Sequence, residues 1–346
     1  MKSTDISSVI QPSIIQNLDI FLCPVCNGAI KVSADRYMLE CSVCGQSFKC
    51  DSGIPLLFWT HDWSSDKKDV TNIVKSFYEE TPFPNYEDVD SISSLREKAE
   101  KSVFAHMLDD QLPYNLKILE VGCGTGQLSN FLGIIKERTV FGTDMCLNSL
   151  RLGHEFSEKN NLNNVSFLQM NLFRPVFKPD SFDVVICNGV LHHTGDPFRG
   201  FQSILKLVKK RGFIIIGLYH TYGRIITDIR RFIFRFFGNS FKFLDPRLRD
   251  QSLSNEKRHT WFMDQYKHPH ESKHSIGEVL HWFDKCEIEF INSVPKDRAF
   301  ETFSHQEKLF TANQRGSWFD HFVVQTGMVF SGSKEGGFFT MIGRKK

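Results

Sequence analysis

Two Cys-x2-Cys pairs, Cys23 with Cys26 and Cys41 with Cys44, have the residue type and spacing of metal ligands. Fourteen residues separate the two pairs. Each pair offers two thiolates from one tight turn, and two such turns place four sulfurs around a tetrahedral Zn²⁺. Because four sulfurs leave no open coordination position, the pattern predicts a structural metal that stabilises a small module.

A glycine turn in the stretch KILEVGCGTGQLSNFL is the second candidate for chemistry. Gly122, Gly124 and Gly126 follow an apolar strand pattern that contains Glu120, and a helix pattern comes after them. Dinucleotide sites have the wider spacing Gly-x-Gly-x-x-Gly, with backbone amides aimed at a pyrophosphate. The tighter turn and the neighbouring carboxylate instead favour a ligand with an ammonium group, such as S-adenosylmethionine (SAM).

The segment LEVGCGTG resembles the first motif of class I SAM-dependent methyltransferases, and the likeness extends over residues 114–220. It implies that SAM is the cofactor, that Asp144 holds the ribose hydroxyls and that Asn171 accepts from the adenine amino group. Asn188 and Gly189 would line the methionine end. The implied cofactor-binding residues are Glu120, Gly122, Cys123, Gly124, Gly126, Asp144, Met145, Asn171, Leu172, Asn188 and Gly189. Residues 21–59 resemble zinc ribbons of the Trm112/YbaR type, which often precede or activate methyltransferases.

The elements that must position these residues are strands and helices in alternation. Apolar runs predict strands at 117–121, 138–143, 165–169, 182–187, 212–219, 287–294 and 337–346. Such runs are typical of a parallel sheet covered by helices on both faces. We therefore expect an α/β fold: a doubly wound, Rossmann-like, mostly parallel seven-stranded sheet with a small N-terminal zinc ribbon and a helical lid insertion.

The same patterns predict the domain organisation. The expected units are a flexible arm (1–18), a zinc-ribbon module (19–61), a helical and loop cap (62–113), the SAM-binding core (114–220), a lid insertion (221–274) and the C-terminal part of the methyltransferase domain (275–346). Within the cap, residues 76–90 have two prolines and crowded acids, which favour an ordered loop. Tyr78 and Tyr86 in that loop are candidates to fold over the cofactor.

Histidines supply the candidates for acceptor chemistry. His192 and His193 follow the fourth strand at the edge where ligands bind, and His193 is a candidate general base or a packing residue. Tyr266 and His268 lie in the stretch DQYKHPHESKH, which also contains His270 and His274. A second metal site, a substrate contact and a polar loop all stay open for this stretch.

The insertion begins with an amphipathic helix pattern over 222–238, which carries Arg230, Arg231 and Arg235 beside an apolar stripe. The stripe consists of Ile225, Ile226, Ile229, Phe232, Ile233, Phe236 and Phe237. Three interpretations stay open: a lid that packs its apolar face over the active site, a helix in a membrane interface, or a contact with RNA phosphates.

The composition narrows the range of functions that the sequence allows. The 346 residues are 41% apolar with a net charge of +2, no basic-apolar leader and no apolar run of membrane-spanning length, so we expect a cytoplasmic enzyme. We predict methyl transfer to a small-molecule or lipid-like acceptor. An RNA methyltransferase is one alternative, since a zinc ribbon ahead of a SAM domain also resembles large-subunit rRNA guanine methyltransferases. A non-catalytic SAM-binding regulatory partner is the other.

Overall fold

The computed structural model describes residues 10–61, 69–84, 86, 89–331 and 337–346. The strands are β1 (Ile30–Val32), β2 (Met38–Cys41), β3 (Ser47–Asp51), β4 (Ile54–Pro55), β5 (Lys117–Val121), β6 (Thr139–Asp144), β7 (Val165–Gln169), β8 (Phe182–Asn188), β9 (Val208–Tyr219), β10 (Ile288–Val294) and β11 (Phe338–Lys345). The α-helices are α1 (Pro12–Gln16), α2 (Thr71–Glu80), α3 (Ile92–Glu100), α4 (Val103–Gln111), α5 (Gln127–Leu132), α6 (Leu147–Lys159), α7 (Pro197–Leu205), α8 (Ile225–Phe237), α9 (Pro246–Arg249), α10 (Asn255–Phe262), α11 (Ile276–Lys285) and α12 (Trp318–Ser331). Among the described residues, no helix is long and apolar enough to cross a membrane.

A seven-stranded sheet forms the centre of the molecule, in the order β10-β11-β9-β8-β5-β6-β7. Strands β5 to β9 pair in parallel, and β11 runs antiparallel between β9 and β10. The predicted mostly parallel sheet is therefore confirmed. The carboxyl ends of β5, β6 and β8 meet at one edge, where the strand order reverses and where ligands bind in such sheets. This edge brings together the glycine turn, Asp144 and Asn188.

The boundary between α7 and β9 differs from the expected one. The sequence predicts this strand from residue 212, whereas α7 ends at Leu205 and β9 already begins at Val208. Leu207 and Val208 are fully buried, so the chain leaves the helix early to place both side chains in the core.

The residues before the sheet are more ordered than the sequence predicted. Ile10 and Ile14 of the expected flexible arm are buried, and Ile14 lies on α1, while residues 1–9 lie outside the described residues. The expected loop at 76–90 begins as helix, because α2 continues to Glu80. The Glu79 carboxylate accepts hydrogen bonds from the first two amides of α6, at 2.9 and 3.1 Å, which fixes α2 against the core.

The N-terminal cysteine module (residues 19–61) packs on β7, one of the two edge strands of the large sheet. Its own antiparallel sheet has the order β1-β2-β3-β4. Leu57 donates its amide to the Gln169 carbonyl at 3.0 Å, and Leu22 donates to Val176 at 2.8 Å. The Arg151 guanidinium pairs with Asp51 at 2.9 Å and adds a charged contact between the module and α6.

Helix α8 turns its polar side toward the protein. Arg224, just before the helix, is fully buried and pairs with Glu271 at 2.7 Å. Arg231 pairs with the same carboxylate at 2.6 Å. Because one buried carboxylate holds both guanidiniums inside, the opposite side of the helix faces solvent. The interpretation of α8 as a lid with its apolar stripe packed over the site is therefore wrong, although the insertion does line the site.

Candidate active site

The glycine turn after β5 has the backbone geometry that its residues predict. Gly122, Gly124 and Gly126 have φ values of 70°, 53° and 71°, in the left-handed region that favours glycine. A Cβ at Gly124 would lie 2.3 Å from the Phe83 carbonyl oxygen, so the segment after α2 closes directly over the turn. A Cβ at Gly126 would instead meet the Phe167 ring at 2.3 Å. Gly126 thus serves the packing of α5 against the sheet.

Two buried acids lie beside the turn. Asp144 accepts hydrogen bonds from the amides of Gly124 at 2.9 Å and Cys146 at 2.8 Å, and Glu120 accepts from the Ser129 hydroxyl at 2.5 Å. Burial raises the pKa of Glu120 to about 7 and raises the pKa of Asp144 as well. In the described part of the chain, neither carboxylate has an ion-pair partner. Two desolvated acids without a cation fit a ligand that brings positive charge, as SAM does.

A cavity of about 630 Å³ opens at this edge of the sheet, within the size range of small-molecule pockets. Its wall includes ten of the eleven residues predicted to bind the cofactor; the exception is Gly126. The ten are Glu120, Gly122, Cys123, Gly124, Asp144, Met145, Asn171, Leu172, Asn188 and Gly189.

Asn171 lies in the cavity wall, but its side chain also contacts the cysteine module. Its Nδ2 donates to the Trp59 carbonyl at 2.8 Å and lies 3.0 Å from His61 Nδ1. Its Oδ1 accepts from the Phe173 amide at 3.0 Å. One lone pair of Oδ1 therefore remains for a further donor, and the predicted adenine contact would use an oxygen that the protein already orients.

The far side of the cavity contains a polar group that we call the Asp264 cluster: Tyr78, Tyr219, Asp264 and Gln265. Asp264 accepts from the Tyr78 hydroxyl at 3.0 Å and from Gln265 Nε2 at 2.8 Å. Gln265 Nε2 also donates to the Tyr219 hydroxyl at 2.8 Å. Burial raises the pKa of Asp264 above its ordinary value, and nearby His268 and the Tyr78 hydrogen bond only partly oppose this shift.

His193 is the one predicted catalytic residue in the cavity wall as the structure describes it. Its Nδ1 lies 2.9 Å from the His270 carbonyl oxygen, which requires a proton on Nδ1 and leaves the Nε2 lone pair as the acceptor. Burial lowers the pKa of His193 to about 4, so the imidazole is neutral at pH 7. The ring stacks on His268, with ring centres 3.7 Å apart, and this contact fixes its orientation.

The other three predicted catalytic residues lie outside the described cavity wall. His192 is buried behind His193, where its Nδ1 accepts from the Tyr219 amide at 3.3 Å. Tyr266 donates its hydroxyl to Asp245 at 2.5 Å, away from the cavity. The His268 ring packs against the ring of His193. These positions correct the prediction: the structure brings one of the four residues to the site, and gives the others packing contacts.

The sequence offered Asp264 only as the first residue of the stretch DQYKHPHESKH, with a substrate contact as one open interpretation, and did not join it to Tyr78, Tyr219 and Gln265. Asp264 and Gln265 are turned inward by a single π-helical turn, Met263–Lys267, which continues α10. Such turns are frequent at functional sites, but they leave no simple hydrophobic period in a sequence. Tyr78, proposed only weakly, does reach the cavity, whereas the Tyr86 hydroxyl contacts Asn130 Nδ2 at 2.9 Å in the core.

The four predicted metal ligands lie together in the cysteine module. The Sγ atoms of Cys23, Cys26, Cys41 and Cys44 all lie within 4.8 Å of one another. The separation between Cys26 and Cys41 is 3.4 Å, and between Cys23 and Cys44 it is 3.8 Å. Zn–S bonds of about 2.3 Å place the sulfurs of a tetrahedral site roughly 3.8 Å apart, so these positions fit the ion. Among the described residues no other group of three or more His, Cys, Asp or Glu ligand atoms is this close.

Comparison with known proteins agrees with this geometry. Residues 113–265 match a methyltransferase domain family. Residues 113–265 are thus similar to a methyltransferase domain. Over 112 residues the chain is 31% identical to a ubiquinone biosynthesis O-methyltransferase of Glaesserella parasuis, which covers 30% of this chain and 45% of that protein. An uncharacterised protein of Synechococcus is 26% identical over 206 residues, or 53% of this chain and 49% of that protein.

The chain thus spans about half the length of the curated relatives it matches. Among solved structures, PKMT2 from Rickettsia typhi superposes on the methyltransferase fold with a TM-score of 0.50 at 14% identity, covering 71% of this chain and 52% of that chain. This likeness concerns the fold alone.

Proposed function

We propose that this chain transfers the methyl group of SAM to a small-molecule or amphiphilic acceptor bound in the cavity of the methyltransferase domain. One observation carries the proposal: the predicted donor residues and the Asp264 cluster share a single cavity. The donor side presents buried carboxylates to a cationic cofactor, and the opposite side presents hydrogen-bonding groups to a second molecule. SAM supplies a methyl group on a sulfonium, which is an excellent leaving group, so the protein mainly aligns the acceptor and excludes water.

His193 is the group that would remove a proton from a hydroxyl acceptor. Its imidazole is neutral at pH 7, and the Nδ1 hydrogen bond to His270 leaves Nε2 as the basic atom. Among the described residues Nε2 has no protein hydrogen-bond partner, so it is available to a ligand in the cavity.

The Asp264 cluster would orient the acceptor. Asp264 is only 5% exposed, and its carboxylate is held in place by Tyr78 and Gln265. A buried carboxylate accepts hydrogen bonds and disfavours anionic groups, so it selects an acceptor with an O–H or N–H donor. A phosphate group close to Asp264 would be repelled.

We further propose that the four cysteines bind Zn²⁺ as a structural ion. The sulfur positions fit a tetrahedral site, and backbone amides of Val25, Gly28 and Val43 each lie 3.4 Å from a cysteine sulfur. Such amide–sulfur contacts stabilise thiolates around a metal. The module is small and has a limited core of its own, so metal binding would contribute to its folding.

The test uses methyl-labelled SAM, the purified protein and a cell extract, with products separated into small-molecule, lipid, RNA and protein fractions. We expect label in the small-molecule or lipid fraction. The Asp264→Asn variant should lose this label while it still binds SAM. His281→Gln, a substitution on the exposed side of α11, is the control and should transfer label normally.

Two results would contradict the proposal. Label in the RNA fraction that ribonuclease removes would make the chain an RNA methyltransferase. SAM binding without label in any fraction, at every extract concentration, would favour the regulatory alternative.

A further inference from the structure

The solvent-facing side of the α8 region carries a continuous apolar surface. We call it the Phe-rich face and define it as Ile229, Phe232, Phe236, Phe237, Phe241 and Phe243. Five of these side chains are between 54% and 64% exposed, and Phe241 is 36% exposed. The rings form two contacting groups: Phe232 and Phe236 have centres 4.5 Å apart, and Phe241 lies 5.7 Å from Phe237 and 6.0 Å from Phe243.

This exposure follows from the way the helix is anchored. Arg231 is held on the inner side by Glu271, and Phe234 packs inward on Tyr266 with ring centres 4.7 Å apart. Residues 229, 232 and 236 lie on the opposite side, because they recur at intervals of three and four. A rotation of α8 that buried the phenyl rings would pull the Arg231 guanidinium away from a buried carboxylate. The Phe-rich face is therefore fixed outward by the fold.

Positive charge accompanies the Phe-rich face. Between residues 225 and 249 the chain has six Lys or Arg and two Asp. Both acids have partners: Asp228 is 37% exposed and pairs with Lys273, and the buried Asp245 accepts from Tyr266. Arg235 and Arg249 are exposed, so the side chains that border the apolar rings present net positive charge.

We infer that the Phe-rich face docks the protein on an anionic lipid surface. An exposed helix side with phenylalanines, bordered by cations, is the pattern of a helix that lies in a membrane interface. The apolar rings enter the acyl boundary while the cations meet negatively charged headgroups. A protein partner would need a groove that fits this convex helix surface, and the local positive charge favours the lipid.

The chain segment that carries the Phe-rich face also reaches the cavity wall. Arg247 lines the cavity, and it follows Phe243 by four residues in the same segment. Its guanidinium lies 4.0 Å from the ring centre of Trp261, which lines the cavity as well. A docked protein would thus hold one wall of its cavity close to the lipid. The inference that the protein docks on lipid does not depend on which acceptor is methylated. Delivery of an amphiphilic acceptor from the membrane to the cavity does rest on the proposed function.

Vesicle flotation tests the docking. The full chain is mixed with vesicles of phosphatidylcholine alone, or of phosphatidylcholine with phosphatidylglycerol. We expect flotation with the anionic vesicles and little with the neutral ones. Phe236→Asp should lower the bound fraction by about tenfold or more, the loss expected when one phenyl group is no longer buried. Arg235→Glu should weaken binding to anionic vesicles only.

The matched control is Tyr114→Asp. Tyr114 and Phe236 are both 64% exposed, but Tyr114 precedes β5 at the opposite edge of the sheet. This variant should float like the wild type. Calorimetry with SAM on the same proteins should give equal affinities, which shows that each variant is folded and separates a failure of docking from a failure of the donor site.

Three results would overturn the inference. The first is absence of flotation of the wild type with either vesicle. The second is an equal loss for Phe236→Asp and Tyr114→Asp. The third is self-association in sedimentation that Phe236→Asp abolishes, together with no lipid binding, because the Phe-rich face would then be an interface between two copies of the chain.

Discussion

The Asn171 amide donates to the main-chain carbonyl of Trp59 at 2.8 Å, and this contact joins the candidate cofactor cavity to the cysteine module. His61, two residues later, stacks on Phe173 with ring centres 4.4 Å apart. The end of the module therefore forms the outer support of the residues expected to hold the adenine. The module and the donor site are structurally coupled, although 112 residues separate Trp59 from Asn171.

Removal of the metal should weaken SAM binding. Once the cysteine module loses its fold, Trp59 no longer holds the Asn171 amide, and we expect the dissociation constant for SAM to rise about tenfold. Calorimetry before and after treatment with a chelator, and after Zn²⁺ is returned, measures this. The Asn171→Ala variant should bind SAM weakly even before chelation. The chelator should then lower its SAM affinity less than it does in the wild type, because the two changes remove the same support. Unchanged affinity in the chelated wild type would show that the module is independent of the site.

Glu120→Gln should change stability and SAM affinity in opposite directions. Burial raises the pKa of Glu120 from 4.5 to about 7, so the folded protein loses stability as the pH rises between these values. The neutral amide removes this cost, and we expect the melting temperature at pH 7.5 to rise by a few degrees. SAM affinity should fall about 30-fold or more, because a carboxylate near the cofactor's positive charge is lost.

The pH dependence of SAM binding provides the check. In the wild type, affinity should fall as the pH drops below about 7, where Glu120 becomes protonated. The Glu120→Gln variant should lack this component. An equal pH dependence in both proteins would assign the titration to another group.

His193→Gln should reduce the rate of methyl transfer to a hydroxyl acceptor by about 10²- to 10⁴-fold, with little change in SAM affinity. Burial holds the pKa of His193 near 4, so the imidazole is unprotonated throughout the range from pH 6 to 8. Ionisation of His193 should therefore leave the wild-type rate unchanged between pH 6 and 8. The rate should decline only at more acidic pH. His268→Gln is the comparison, since His268 touches His193 but lies outside the described cavity wall. A larger effect at His268 would reverse the assignment.

Glu271→Gln should destabilise the protein strongly. Burial alone would raise the pKa of Glu271, but Arg224 and Arg231 outweigh it and lower the value. The ion pairs therefore stabilise the fold at neutral pH, and this contribution is lost as the pH falls below about 4.5. Removing the charge takes the shared carboxylate away from two guanidiniums, one of them fully buried, at a cost of about 3–5 kcal/mol.

Urea unfolding at pH 7 measures this change. Glu278→Gln is the matched control, because the Glu278 side chain is 42% exposed and its one ion-pair contact among the described residues is with a histidine, the buried His274. Its loss should cost less than about 1 kcal/mol. Similar costs for the two variants would mean that the Glu271 pairs are no stronger than a surface contact.

The donor half of the site was predictable because its signals are local. Each strand pattern is a short apolar run, and Glu120, Asp144 and Asn188 lie at or near the ends of such runs. Parallel pairing then brings these residues to one edge without any further information. The cysteine cluster was predictable for a similar reason, because each pair of ligands comes from one turn.

The acceptor half was not predictable because it depends on contacts between distant segments. Tyr78 and Asp264 are separated by 186 residues, and their hydrogen bond requires a π-helical turn that leaves no periodic signal. The orientation of α8 depends likewise on Glu271, which lies 40 residues after Arg231. The apolar stripe correctly indicated a helix. The side of that helix that faces the protein depends on the ion pairs with a carboxylate distant in sequence.

The position of the cysteine module on β7 has a consequence for the behaviour of the chain in concentrated solution. All five residues of β7 are buried, and the backbone contact from Leu57 occupies the outer side of this strand at Gln169. An uncovered edge strand of buried residues is a template for pairing with a strand of another molecule. Because the module covers this strand only while it is folded, we expect loss of the proposed metal to expose Val165–Gln169 and to promote aggregation through that strand.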